Sequence, residues 1–173
     1  MLALEKARGI RLMGFDVDGV LTDGRLYFTA DGDSMKAFHS RDGLGMVALA
    51  KAGIKLAIIT GRSSDIVTRR AENLGISLVF QGVSDKRAVM ADLLAAEGLD
   101  FTQAGYMGDD IVDLAVMRAC GFAATVPEAE PLIKQHADFI AHSPAGGGAA
   151  RDVCELILRA QGKLEAVIAA HMG

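Results

Sequence analysis

The chain has 173 residues, 51% hydrophobic and 23% charged, which suffices for one domain with a buried core and is too short for two of ordinary size. A formal charge of −4 with scattered lysines and arginines excludes a basic field for nucleic acid, so any phosphate-bearing partner is expected to be small and held by a few placed cations. No apolar run reaches the ~20 residues of a membrane helix, charge at Glu5, Lys6 and Arg8 precedes any segment of signal-peptide length, and Cys120 and Cys154 lack metal or redox spacing. The expectation is a cytoplasmic protein with no membrane partner and two reduced core cysteines.

In chain order, the first apolar run is IRLMGF at 10–15. RLYFT, the Asp-Gly turn ADGD and SMKAFH follow, predicting a β-hairpin over 25–39. Such a ribbon is marginal alone, and Leu26, Phe28 and Phe38 on it would be partly exposed, so a neighbouring subunit is expected to cover it. Strand-length runs then recur at 54–60, 77–80, 104–107, 122–126 and 138–141. Between them lie GLGMVALAKAG, SSDIVTRRAENLG, SDKRAVMADLLAAEG and DIVDLAVMRACG, with helical periodicity and glycine stops. The alternation predicts an α/β fold with a doubly wound, mainly parallel, Rossmann-like sheet. The 144–173 segment reads as a glycine-rich hinge followed by one amphipathic helix with Val153, Ile157 and Leu164 on one face.

Ligands of open parallel sheets bind beyond the carboxyl ends of the strands. There the sequence places Asp16 and Asp18, then Thr60, Gly61 and Arg62, then Ser84, Asp85 and Lys86, and finally Gly108, Asp109, Asp110 and Asp113. Three acidic clusters on one rim would repel one another without a cation, and carboxylate oxygens suit magnesium shared with a phosphate. In GFDVDGVLTDG the two-residue spacing puts the carboxylates of Asp16 and Asp18 on the same side of an extended segment, so one can attack phosphorus while the other handles the leaving-group proton. Lys86 would neutralise the nucleophile and phosphoryl oxygens, and the Thr60 hydroxyl would donate to a phosphoryl oxygen. Singly, each feature also reads as an ordinary turn residue, helix charge or cap; their convergence argues for a site.

DVDGVLTDG, TGR, a lysine opening the next helix and GDDxxD together resemble the motifs of the haloacid dehalogenase superfamily of phosphotransferases over residues 12–126. GRLYF, FHSRDGLGM, TGRSSDIVTRRAENLGI, YMGDDIVDLAVM and ARDVCELILRAQGKLEAV extend the resemblance, over nearly the whole chain, to the 3-deoxy-D-manno-octulosonate 8-phosphate phosphatases. The resemblance implies a single phosphatase domain over 1–173 without a large cap, working as a homotetramer with shared active sites on a small phosphorylated sugar acid in lipopolysaccharide precursor synthesis. It also implies Asp16 as a nucleophile forming an aspartyl phosphate, Asp18 as acid/base, and Mg2+ held by Asp16, the Asp18 backbone carbonyl and Asp109. Asp110 and Asp113 would hold metal-bound water or orient Lys86. Sugar-acid contacts would fall on Arg41, Asp42, Gly43, Arg62, Arg70 and Lys86, with Asp18 and Gly61 also lining the substrate.

The chain reads AGGGAA from residue 145 where the family pattern has GGRGA, so Gly147 stands in place of a tail arginine. Three rival readings remain at this point, one of them a non-catalytic scaffold, which the intact acid set opposes. Neuraminate-type 9-phosphate phosphatases share the scaffold, although the C-terminal helix favours the octulosonate enzymes. A signalling receiver domain also gathers acids, Thr and Lys around magnesium, but its phosphoacceptor follows the third strand, where this chain has QGVSDK.

Overall fold

A computed structural model describes residues 2–172, with every side chain in that range except those of Asp33 and Ser34. The chain runs through α1 (Leu2–Arg8), β1 (Leu12–Phe15), the ribbon strands β2 (Tyr27–Thr29) and β3 (Gly32–Met35), α2 (Ser40–Lys51), β4 (Lys55–Ile59), α3 (Asp65–Leu74), β5 (Leu78–Phe80) and α4 (Lys86–Glu97). It continues with β6 (Ala104–Met107), α5 (Leu114–Ala119), β7 (Phe122–Thr125), α6 (Pro131–Gln135), β8 (Phe139–Ile140), α7 (Ala149–Ala160) and α8 (Leu164–Ala169).

Six strands form one sheet in the order β5-β4-β1-β6-β7-β8, every neighbouring pair parallel. All residues of β1, β6 and β7 are buried, as central strands covered on both faces require. Phe15, Tyr106, Phe122 and Met90 are among the largest side chains sealed in this core. Local chemistry sets the helix limits: the Ser64 hydroxyl caps α3 and the Asp85 carboxylate caps α4, and each helix ends at a left-handed glycine, Gly75 or Gly98.

The strand order also places the site. From β1 the chain moves one way through β4 to β5, then returns to β1's other side at β6. The winding reverses between β1 and β6, and at that switch point the connections diverge and leave a crevice beyond the strand ends. Asp16 directly follows β1, and Asp109 lies just past β6.

The ribbon predicted over 25–39 is present as a separate two-stranded antiparallel sheet with an irregularity between Tyr27 and Phe28. Leu26, Phe28 and Met35 are exposed on it, whereas Phe38 lies beyond β3 and packs against the core. Two expectations need correction. The C-terminal segment forms two helices, because Gly162 at φ 66° turns the chain after α7, although Val153, Ile157 and Leu164 are all buried. The helix α2 starts before the GLGMVALAKAG segment that the periodicity predicts: Ser40 to Gly43 form its first turn, capped by the His39 side chain. Two further short helices, α1 and α6, have no counterpart in the sequence reading.

Candidate active site

β1 ends by handing its ladder to the site, as the Asp16 N–H donates to the Met107 carbonyl of β6 at 3.0 Å. The chain then turns sharply. The amides of Val20, Leu21 and Thr22 all donate to the Val17 carbonyl, and the buried Thr22 hydroxyl accepts from the amides of Gly19 and Gly24. Gly19 adopts φ 88°, and a Cβ there would lie 2.0 Å from an Asp109 carboxylate oxygen, so this glycine lets the two acidic loops meet.

Asp16 is nearly buried, with the Val17 amide on Oδ1 at 2.7 Å and the Lys86 ammonium 3.0 Å from Oδ2. Lys86, the first residue of α4, also donates to Asp113 Oδ1 at 2.6 Å. Asp113 is fully buried; its Oδ1 also accepts from the Tyr106 hydroxyl at 3.1 Å, and Oδ2 from the amides of Asp109 and Asp110. Both its oxygens are therefore occupied in orienting Lys86 and the Asp109 loop. Asp110 accepts from the Ile111 amide and caps the short turn that follows.

Oxygens of Asp16, Asp109 and Asp113 lie within 4.8 Å of one another. Burial, and then the charge of Asp113, push the Asp16 carboxyl up to about 6 against the opposing pull of Lys86. Burial followed by the charges of Asp113, Asp16 and Asp110 pushes Asp109 up to about 7. Burial pulls the Lys86 ammonium down, but Asp16 and Asp113 together outweigh it and the net direction is up. One lysine thus undercompensates the acids, and an all-oxygen donor set in that condition fits a hard divalent cation such as magnesium. With Asp113 engaged elsewhere, Asp16 and Asp109 are the side chains of this cluster that could hold it.

Asp18 lies at the same rim, with Lys36 Nζ 2.6 Å from Oδ1 and Arg62 Nε 3.8 Å from Oδ2. Thr60 is buried directly after β4, and Gly61 and Arg62 follow it, the Arg62 guanidinium standing 5.6 Å over the Phe28 ring. The other expected sugar contacts gather at the start of α2. Arg41 donates to the Gly147 carbonyl at 3.0 Å, and Arg70 donates to the His39 carbonyl at 3.3 Å. A Cβ on Gly43 would meet the Arg70 guanidinium at 2.5 Å, so the glycine makes room for that arginine. Asp42 is 2% exposed, and its carboxylate accepts from the amides of Gly148 and Arg151 at the start of α7, so it braces that helix against α2. Gly147 packs against Pro144, 2.8 Å from where its Cβ would be, and offers its carbonyl to Arg41.

Sequence reasoning missed three residues of this site: Thr22, Tyr106 and Lys36. Tyr106 carried the best available signal, since a tyrosine in a central strand needs a partner for its hydroxyl. Gly14 on the adjacent strand faces its ring, where a Cβ would lie 2.8 Å away.

No family model matches the chain. A curated 3-deoxy-D-manno-octulosonate 8-phosphate phosphatase from Salmonella typhi is 43% identical over 162 residues, covering 94% of this chain and 86% of the relative. A crystal structure of a probable YrbI family phosphatase from Pseudomonas syringae superposes with a TM-score of 0.97 at 46% identity, covering 99% of this chain and 98% of the other. A 3-deoxy-D-manno-octulosonate 8-phosphate phosphatase from Moraxella catarrhalis, solved with magnesium, phosphate and 3-deoxy-D-manno-octulosonate, superposes with a TM-score of 0.95 at 44% identity over 97% of each chain. With the acid cluster at the β1/β6 switch point and likeness along almost the whole length, the chain belongs to the 3-deoxy-D-manno-octulosonate 8-phosphate phosphatase family of the haloacid dehalogenase superfamily.

Proposed function

We infer that the chain is a magnesium-dependent phosphatase that hydrolyses 3-deoxy-D-manno-octulosonate 8-phosphate to the free sugar acid and phosphate, in the cytoplasm and for lipopolysaccharide precursor synthesis. The observation that carries this is the buried Asp16–Lys86–Asp113 chain beside Asp109, within a fold shared over almost its full length with phosphatases of that substrate. Residues 1–173 act as one catalytic domain in this reading.

Asp16 is the nucleophile. Its carboxylate attacks phosphorus, a P–O bond to Asp16 forms, and the bond from phosphorus to the sugar oxygen breaks while Asp18 gives that oxygen a proton. In the second step Asp18 takes a proton from water as the water oxygen attacks phosphorus. The P–O bond to Asp16 then breaks, releasing phosphate and restoring the Asp16 carboxylate and the protonated Asp18. Lys86, 3.0 Å from Asp16, neutralises the nucleophile and the phosphoryl oxygens, and Thr60 donates to a phosphoryl oxygen. Asp16, Asp109 and the Asp18 carbonyl would hold magnesium. Bound there, the ion supplies the positive charge that lets a phosphoryl dianion approach this acidic rim.

Gly61 and Arg62 at the rim, with Arg41 and Arg70 at the α2 end, form the side that takes the sugar carboxylate. The working unit in this reading is a homotetramer that buries the 25–39 ribbon; the 60% and 58% exposure of Phe28 and Met35 on a two-stranded ribbon separate from the main sheet supports this. Phosphate release across octulosonate and nonulosonate phosphates, with magnesium and with chelator, tests the function. The octulosonate 8-phosphate should be preferred by at least about tenfold in kcat/KM, a difference that a few rim contacts can supply. Preference for a nonulosonate 9-phosphate, or full activity in chelator, would overturn it.

A further inference from the structure

Lys36 stands immediately after β3, on a ribbon whose apolar residues face solvent. Its own side chain is only 3% exposed, and its ammonium lies 2.6 Å from Asp18 Oδ1. A lysine keeps its ammonium in water unless a partner repays the desolvation, so this placement has a specific cause, and the cause is Asp18. The ribbon reaches the same carboxylate a second way, because Arg62, 3.8 Å from Oδ2, rests over Phe28 of β2. Asp16, two residues earlier, is held from the sheet side by Lys86 and its own backbone turn. The two carboxylates of one motif are therefore fixed by different parts of the molecule.

We propose that Lys36 is a positioning residue for Asp18, which makes the ribbon a working part of proton transfer at the leaving oxygen. The proposal rests on the acid/base reading of Asp18. Asp18 follows the end of β1 on a turn, and its carboxylate would rotate freely without a fixed partner. An ammonium on Oδ1 pins one oxygen and sets the direction of the other. Displacing a reacting group by ~1 Å costs on the order of 10²-fold in rate.

The consequence depends on the leaving group. A sugar oxygen leaves as an alcohol and needs its proton; a nitrophenolate leaves without one. The parameter kcat/KM covers events only up to the first irreversible step, here phosphoryl transfer to Asp16, so release of phosphate from the aspartyl phosphate does not enter the comparison. A residue that merely supports the fold would lower both reactions together.

The test measures kcat/KM of the magnesium-loaded enzyme on the sugar phosphate and on 4-nitrophenyl phosphate for wild type, Lys36→Met, Lys36→Arg and Asp18→Asn. Melting temperature and calorimetric Mg2+ affinity are followed alongside. Lys36→Met should lose about 30- to 100-fold on the sugar phosphate and at least about tenfold less than that on the aryl phosphate, and Lys36→Arg should recover most of the loss. Asp18→Asn should show the same selectivity with a larger loss. Equal losses on both substrates for Lys36→Met, while Asp18→Asn remains selective, would overturn the proposal and leave the acid/base reading intact. Equal losses for Asp18→Asn would instead overturn the acid/base reading. If Lys36→Met melts early, Lys36→Arg decides: selectivity matching wild type with a normal melting temperature supports the proposal, and selectivity matching Asp18→Asn overturns it.

Discussion

At the sheet rim, the side chains of Lys86, Asp113 and Tyr106 are 3%, 0% and 0% exposed, and each is held by at least two partners from different strands or helices. On the ribbon, Phe28 and Met35 face solvent, and one buried side chain, Lys36, ties the element to the chemistry. The rim is preorganised by the core: its charges stay in place because moving them would leave buried groups unpaired. The ribbon is tied to the rim by the Lys36–Asp18 ion pair and by Phe28 under Arg62, and otherwise depends on whatever covers its apolar face. Nucleophile placement should therefore be insensitive to assembly, and proton handling and sugar binding should depend on it.

The largest effect expected on the rim side of that contrast comes from Asp113→Asn. An amide cannot satisfy the Lys86 ammonium, the Tyr106 hydroxyl and two backbone amides together, so Lys86 and the Asp109 loop lose their alignment. kcat should fall by about 10²-fold or more, with a lower melting temperature, and the assembly state measured by light scattering should not change. Loss of the oligomer in this variant would blur the separation between the two regions.

Phe28→Asp probes the other side. It places a charge in the face proposed to be buried between subunits and removes the ring under Arg62. The measured mass should fall toward monomer, and KM for the sugar phosphate should rise about tenfold, while Mg2+ binding is preserved. A monomeric wild type with full activity would show that the ribbon works without partners.

Asp42→Asn should have the smallest effect. The amide keeps one acceptor for the α7 amides and loses the other, so stability should drop by about 1–3 kcal/mol in denaturant titration, with kcat changed less than about threefold. A rise in KM of more than tenfold without loss of stability would place Asp42 on the substrate side.

The contrast also explains what the sequence could tell. Apolar runs that end abruptly in acid mark strand ends in a parallel sheet, so Asp16, Asp18, Thr60 and Asp109 could be found from pattern alone, and the α/β sheet with them. Lys36 could not, because within SMKAFH a lysine reads as a solvated ribbon residue and only the tertiary position of the ribbon buries it. The bracing role of Asp42 was hidden for a related reason: its partners, Gly148 and Arg151, are more than a hundred residues away in the chain, and no local spacing announces a carboxylate that caps a distant helix. The helix α1 escaped because seven residues with only Ala7 buried carry almost no periodicity. The helix α6 did have a signal, Pro131 at its first turn, in a segment too short for the pattern to declare itself.

Whether Asp16 carries the phosphoryl group can be read by mass spectrometry of enzyme quenched in acid during turnover. A phosphoryl adduct should appear on the peptide containing Asp16 and be absent in Asp16→Asn, a variant that keeps its fold and loses at least about 10³-fold in kcat. Normal turnover by Asp16→Asn, or an adduct at Asp18 or Asp109 instead, would contradict Asp16 as the nucleophile.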